Sequence, residues 1–177
     1  TQAAVDLLTI GASAVTGFVG TGFTGFDDDK QPNEEALGLS VADLSFALAL
    51  MNVNSSADSY YGLKASAGTV SFQGIEDIAL TASDLTIAVN GSNTDQVVDF
   101  TATDWDGDAA TNGGALTVAT GADSSMDLAM ADELLQASGT MTLQLESYVY
   151  LTGTLVFRKG AEVAINLSET GTVAADL

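Results

Sequence analysis

The residues best suited to chemistry are carboxylates at alternate positions. Asp104, Asp106 and Asp108 bracket Trp105 and Gly107, and Asn112-Gly113-Gly114 follows. A hard divalent cation such as Ca²⁺ takes about six to eight oxygens at about 2.3–2.6 Å, and glycine lets backbone fold tightly around it. Asp104, Asp106, Asp108 and the Asn112 carbonyl are therefore candidate metal ligands, with a solvated acidic turn as the alternative. The spacing is not that of an EF-hand. Counted from Asp104, Gly107 stands at position 4, and Ala109 and Ala115 occupy the places of the loop's Gly and bidentate Glu.

A second acidic stretch holds Asp27, Asp28 and Asp29 with Asn33, Glu34 and Glu35. Neighbours in extended backbone face opposite sides, so three adjacent Asp do not converge on one ion. The stretch reads first as a solvated loop, and Asp27 and Asp29 stay among the candidate ligands. Asp127, Asp132 and Glu133 read as surface.

Other chemistry finds little footing. The chain has no His and no Cys, hence no imidazole for acid–base work and no thiolate nucleophile. Its basic residues are Lys30, Lys64, Arg158 and Lys159. No Ser-x-x-Lys arrangement accompanies Lys64. Carboxylate pairs suited to glycoside hydrolysis are too abundant for any one to be informative. Gly17-Phe18-Val19-Gly20-Thr21-Gly22-Phe23 lacks the Lys and helix start of a phosphate loop, so it reads as strand and turn. Trp105, Tyr60, Tyr61, Tyr148 and Tyr150 are the candidates for a sugar platform, against the alternative that they pack on neighbouring strands.

Charge narrows the classes further. Asp and Glu number 24 against 4 Lys and Arg, a formal charge of −20. Such a surface repels nucleic acid and anionic lipid. Mutual repulsion opposes compaction, which makes bound Ca²⁺ the expected offset. The 46% of hydrophobic residues suffices for a core in one domain spanning 1–177. No apolar run approaches the ~20 residues that cross a bilayer as a helix. Thr1-Gln2-Ala3-Ala4 has no basic region, so the chain reads as mature, excised or internal to something longer.

The elements that position these residues are strands. Leu44, Phe46, Leu48 and Leu50 alternate with Ser45, Ala47 and Ala49, the period of a half-buried strand. Val70 and Phe72, then Leu85, Ile87 and Val89, then Met141, Leu143 and Leu145, then Val149, Leu151, Leu155 and Phe157 continue the pattern. Glycines and Asn90-Gly91 punctuate the runs. Ser124 to Leu135 reads as a short helix or as a strand and turn. Ala42-Asp43-Leu44-Ser45-Phe46-Ala47-Leu48 matches Ser83-Asp84-Leu85-Thr86-Ile87-Ala88-Val89. Similar units recur around 70, 126, 141 and 155. Such copies predict a β-solenoid stacked through a Leu/Val/Ile/Phe stripe, with a β-sandwich as the alternative. Gln2-Ala3-Ala4-Val5-Asp6-Leu7 echoes Thr172-Val173-Ala174-Ala175-Asp176-Leu177, which predicts end-to-end association through exposed edges.

Four segments carry a resemblance: Val41 to Met51, Tyr60 to Ala65, Leu80 to Asn90, and Tyr148 to Leu155. They resemble the tandem repeats of giant acidic surface proteins of aquatic bacteria, similar to RTX-type adhesins exported by type I secretion. The glycine-rich nonapeptides of RTX rolls are absent. The resemblance implies adhesion, a spacer role or filament formation, and transfers no catalytic residue.

The resulting expectation is an all-β, calcium-stabilised extracellular repeat module at a bacterial cell surface, self-associating and not an enzyme. A module binding surface glycans is the alternative, and a polysaccharide-acting enzyme the third reading. Neither nucleic-acid binding nor membrane insertion is expected.

Overall fold

A computed structural model describes residues 3–105, 107, 113–145, 147–160, 162 and 166. Strands are β1 (Val5–Thr21), β2 (Leu37–Val53), β3 (Ser59–Gln73), β4 (Ile78–Ser92), β5 (Leu116–Ala119), β6 (Ser125–Leu128), β7 (Leu134–Leu145) and β8 (Val149–Gly160). Among the described residues there is no helix. β1-β2-β3-β4-β7-β8 form one sheet in that order, and every neighbouring pair is antiparallel. The described residues between 93 and 133 lie outside this sheet, between β4 and β7. They carry the β5–β6 hairpin, which packs against β1, β2 and β3.

The expected all-β class holds. Within it, an open antiparallel sheet with a small second sheet fits the sandwich alternative more closely than the solenoid. Short chain reversals join most of these strands, whereas a solenoid stacks parallel turns. Ser124 to Leu135 forms a strand, β6, then an extended turn into β7.

The matched Ala-Asp-Leu and Ser-Asp-Leu units have a different origin from stacked coils. Asp43 and Asp84 both lie mid-strand with positive φ, 55° and 52°, and Ala14 on β1 has φ 54°. Register slips occur beside Ala14 and Asp84. Gly68 on β3 stands between Asp43 and Asp84, and a Cβ there would lie 3.3 Å from the Asp43 Cβ. A line of bulges thus crosses the sheet from β1 to β4. Bulges bend strands and raise their twist.

Left-handed backbone costs a non-glycine residue about 1–2 kcal/mol, least for Asp and Asn. Asp84→Gly is therefore expected to leave stability within about 0.5 kcal/mol, and Asp84→Val to lower it by about 1–3 kcal/mol. Urea denaturation of the two variants beside the parent checks this.

The bulges govern which side each residue faces. β7 and β8 pair without a slip, so Leu135, Ala137, Gly139, Met141, Leu143 and Leu145 share one face. Following partners across the sheet places whole ranks on that face. One rank is Val19, Leu39, Phe72, Leu80, Leu143 and Leu151. Beyond the bulges another is Ala12, Phe46, Ala65, Ile87, Ala137 and Phe157. Apolar residues step by three across the bulge, from Val41 to Leu44, Ala67 to Val70 and Ala82 to Leu85. Without the extra residue they would switch sides, because strand side chains alternate with period two.

The other face is small and polar. One rank reads Phe18, Ser40, Ser71, Thr81, Thr142 and Thr152. The Ser40 and Ser71 hydroxyls lie 2.7 Å apart, as do those of Thr86 and Ser138, and Thr142 donates to Thr152 at 3.2 Å. Cross-strand pairs of this kind add about 0.2–1 kcal/mol each. Past the bulges this face is covered by the 93–133 segment. Ala47, Ala49, Met51, Phe100, Leu116, Val118 and Leu128 form the buried core there. Close approach needs small residues. A Cβ on Gly62 would lie 2.4 Å from Phe100, and one on Gly11 2.1 Å from the Ala119 carbonyl oxygen.

Candidate functional site

The acidic segment begins at Asp99. Its Oδ1 accepts from the Thr101 amide at 2.9 Å, the Thr101 hydroxyl at 2.7 Å and the Ala102 amide at 2.9 Å. Its carbonyl accepts from the Thr103 hydroxyl at 2.6 Å. This turn fixes Phe100, whose amide donates to the Met130 carbonyl at 2.9 Å. Trp105 stacks on Phe100 at 5.5 Å and donates its Nε1–H to the Phe100 carbonyl at 2.8 Å. The half-buried indole thus packs on Phe100 and is tied to its backbone. Asp104 is exposed and its Oδ1 accepts from the Gly107 amide at 2.8 Å. Asp106, Asp108 and Asn112 lie outside the described residues.

The Thr101 hydroxyl and the Ala102 amide hold the Asp99 carboxyl below its usual 3.8, against a smaller desolvation effect. A carboxyl depressed on folding stabilises above its unfolded value, and that contribution is lost as pH falls through the lower folded value. The 99–103 turn is therefore expected to hold at pH 5 and to loosen below about pH 3.8. Asp99→Asn should remove that pH dependence from the Thr101 and Ala102 amide resonances.

Asp27 organises its own loop. Its Oδ1 accepts from the Asp29 amide at 3.0 Å and the Gln31 amide at 2.7 Å, and its carbonyl accepts from the Lys30 amide at 3.1 Å. Asp29 is exposed. Asn33 closes the loop from the other side, accepting from the Thr24 amide at 2.8 Å and donating to the Gly22 carbonyl at 2.9 Å. Lys30 pairs with Asp43 at the bulge. Phe18 stacks on Phe23 here, and Phe26 meets Phe23 edge to face. Among the described residues no three carboxylates converge as a metal cage. Asp27 and Asp104 each use Oδ1 to accept backbone amides of their own turns.

Lys64 lies on the covered face and donates to the Asp127 carbonyl at 3.3 Å. The Asp127 Oδ1 accepts from the Thr117 hydroxyl at 2.7 Å. An open cleft of about 900 Å³ lies by the ends of β4, β7 and β8, lined by Asn90, Ser92, Asp95, Asp132, Glu133 and Lys159 among others. Asn90 is 1% exposed and donates to the Val98 carbonyl at 2.8 Å and the Asp132 carbonyl at 3.0 Å. It ties both ends of the 93–133 segment to β4. Of the tyrosines, Tyr60 packs on the core, Tyr61 lies on the apolar face, and Tyr148 and Tyr150 are 84% and 67% exposed.

The largest surface feature is the apolar sheet face. Leu8, Ile10, Leu39, Leu50, Ile87, Leu135, Leu151, Leu155 and Phe157 all lie on it and are between 37% and 60% exposed. Of the residues that the register places on it, Asp6 and Lys159 are charged and lie on opposite edge strands, while Asp43 and Asp84 stand at the bulges. The alternation of Leu and Phe made the stripe legible in sequence. That no described residue covers it while the alanine side is covered was not legible, because the covering stretch includes Asp99-Phe100, an Asp-x-Thr turn with no apolar period. The C-terminal partner of the sequence echo, 172–177, lies outside the described residues. Comparison with protein-family models, with curated proteins and with solved structures found no match.

Proposed function

We propose that the chain is a structural module of an extracellular assembly, which joins copies of itself and carries bound or screening Ca²⁺. One observation carries this reading: a continuous apolar sheet face that nothing in the described chain covers. Monomeric soluble proteins rarely expose apolar patches beyond a few hundred Å². An apolar face on a chain of charge −20 suits burial against a like face, with the carboxylates turned outward. The absence of Cys and the acidity favour a bacterial surface as its place.

Self-association by light scattering and thermal melting in CaCl₂, against NaCl of equal ionic strength, tests the reading. Association in both salts with a higher melting temperature in calcium is the expected result. A folded monomer that never associates contradicts the structural role. Equal melting in both salts removes the calcium part alone.

The exposure of Tyr148 and Tyr150 favours a second reading, a glycan-binding module. Glycan-array binding lost in a Tyr148→Ala/Tyr150→Ala variant is its signature.

A further inference from the structure

We propose that the apolar face is covered by the same face of a second copy, in a face-to-face dimer whose two-fold axis runs along the strands. This rests on the structural reading above and names the partner. It differs from end-to-end growth, because the contact uses the face of the sheet and leaves the outer backbone edges of β1 and β8 unpaired.

Area is the first argument. Six strands about 4.8 Å apart, over at least 12 residues of about 3.3 Å each, give a face of roughly 1,100 Å². A stable interface takes about 800 Å² from each partner. The face alone therefore suffices, and two such sheets stacked about 10 Å apart make a complete sandwich.

Charge is the second. The chain carries −20, yet this face balances one Asp6 against one Lys159. Lys159 stands level with Ile10, through Leu135, Val89, Leu63 and Leu48. Asp6 lies four residues beyond Ile10 toward the same end. Rotation about an axis along the strands sets β1 over the partner's β8 and keeps each end in place. Each Asp6 then lies over the corner that holds the opposing Lys159. Rotation about an axis across the strands sets β1 over β1 with the ends exchanged, and the opposite charges part. Because the contact is isologous, any such pairing occurs twice.

Sedimentation equilibrium of the full chain tests this. The expected mass is twice 18.0 kDa, with tighter association as salt screens the outward carboxylates. Ile87→Asp, mid-face, should weaken the dimer by about 30-fold or more. Val156→Asp, exposed on the opposite face, should not. Asp6→Lys should weaken it and Asp6→Lys/Lys159→Asp should restore it. Should Ile87→Asp fail to fold by circular dichroism, Leu155→Lys on the exposed edge serves the same purpose.

A dimer indifferent to both substitutions overturns the face assignment and leaves the structural reading standing. Fibres whose apolar face still binds a hydrophobic dye do the same. A folded monomer that binds phosphatidylcholine vesicles assigns the face to lipid and overturns the dimer. A monomer that binds neither vesicles nor itself overturns both proposals.

Discussion

Phe100→Ala is expected to lower stability by about 3–5 kcal/mol, the range for deleting a buried aromatic ring. Phe100 is fully buried. It lies against Gly62 of β3 and stacks on Trp105. Gly62 beneath the ring has no side chain to refill the space, so the cavity term stays large. The Trp105 indole donates to this residue's carbonyl and its ring stacks on the Phe100 ring, so the segment that carries both should loosen with it. Urea denaturation followed by Trp105 fluorescence, the single Trp of the chain, reads both effects.

Asn90→Asp is expected to cost about 3–6 kcal/mol at pH 7. Two carbonyls, of Val98 and Asp132, lose their donor, at about 1–3 kcal/mol each. A carboxylate also replaces an amide in a site sealed from water. Burial raises the folded pKa of that carboxyl above its unfolded value. Its penalty is therefore full above the folded value and shrinks as pH falls toward the unfolded one, near 3.9. The difference from the parent should narrow between pH 7 and pH 5. Asn90→Leu also removes both donors but adds no charge, so its deficit should be smaller at pH 7 and independent of pH. Guanidinium titrations of the three proteins at both pH values check this.

How much of this was legible in the sequence follows from what each signal measures. Period-two alternation reports that a strand has two unlike faces, and it located five of the six long strands, all but β1. It does not report which face is covered. Leu44, Phe46, Leu48 and Leu50 carry the larger apolar side chains, yet Ala47 and Ala49 are the fully buried pair. Close approach of Phe100 and the hairpin decides that, and smallness is what permits it.

The repeated Asp-Leu units were visible, but their cause was not. The same small-acidic-apolar pattern serves a stacked coil and a sheet-wide bulge. Only the positive φ of Asp43 and Asp84 distinguishes them. Among the metal candidates, Asp27 and Asp104 stand at turns whose amides they accept. Asx turns and calcium loops draw on the same residues, so composition cannot separate them. Asn90 and Asp99 carried no periodic signal, because their partners are backbone groups far along the chain or within one turn.

Single cysteines placed in this thiol-free chain give the most direct test of a continuous, covered apolar face. Cysteines at Leu39, Leu50, Ile87 and Met141 sample both sides of the bulge line. They should react slowly with a maleimide in the associated protein and accelerate together on dilution. Those at Thr81, Thr142 and Thr152 should react fast throughout. Fast labelling at Leu39 and Met141 beside slow labelling at Leu50 and Ile87 would mean that the face breaks at the bulges. Uniformly fast labelling of all four in concentrated protein would mean that nothing covers it.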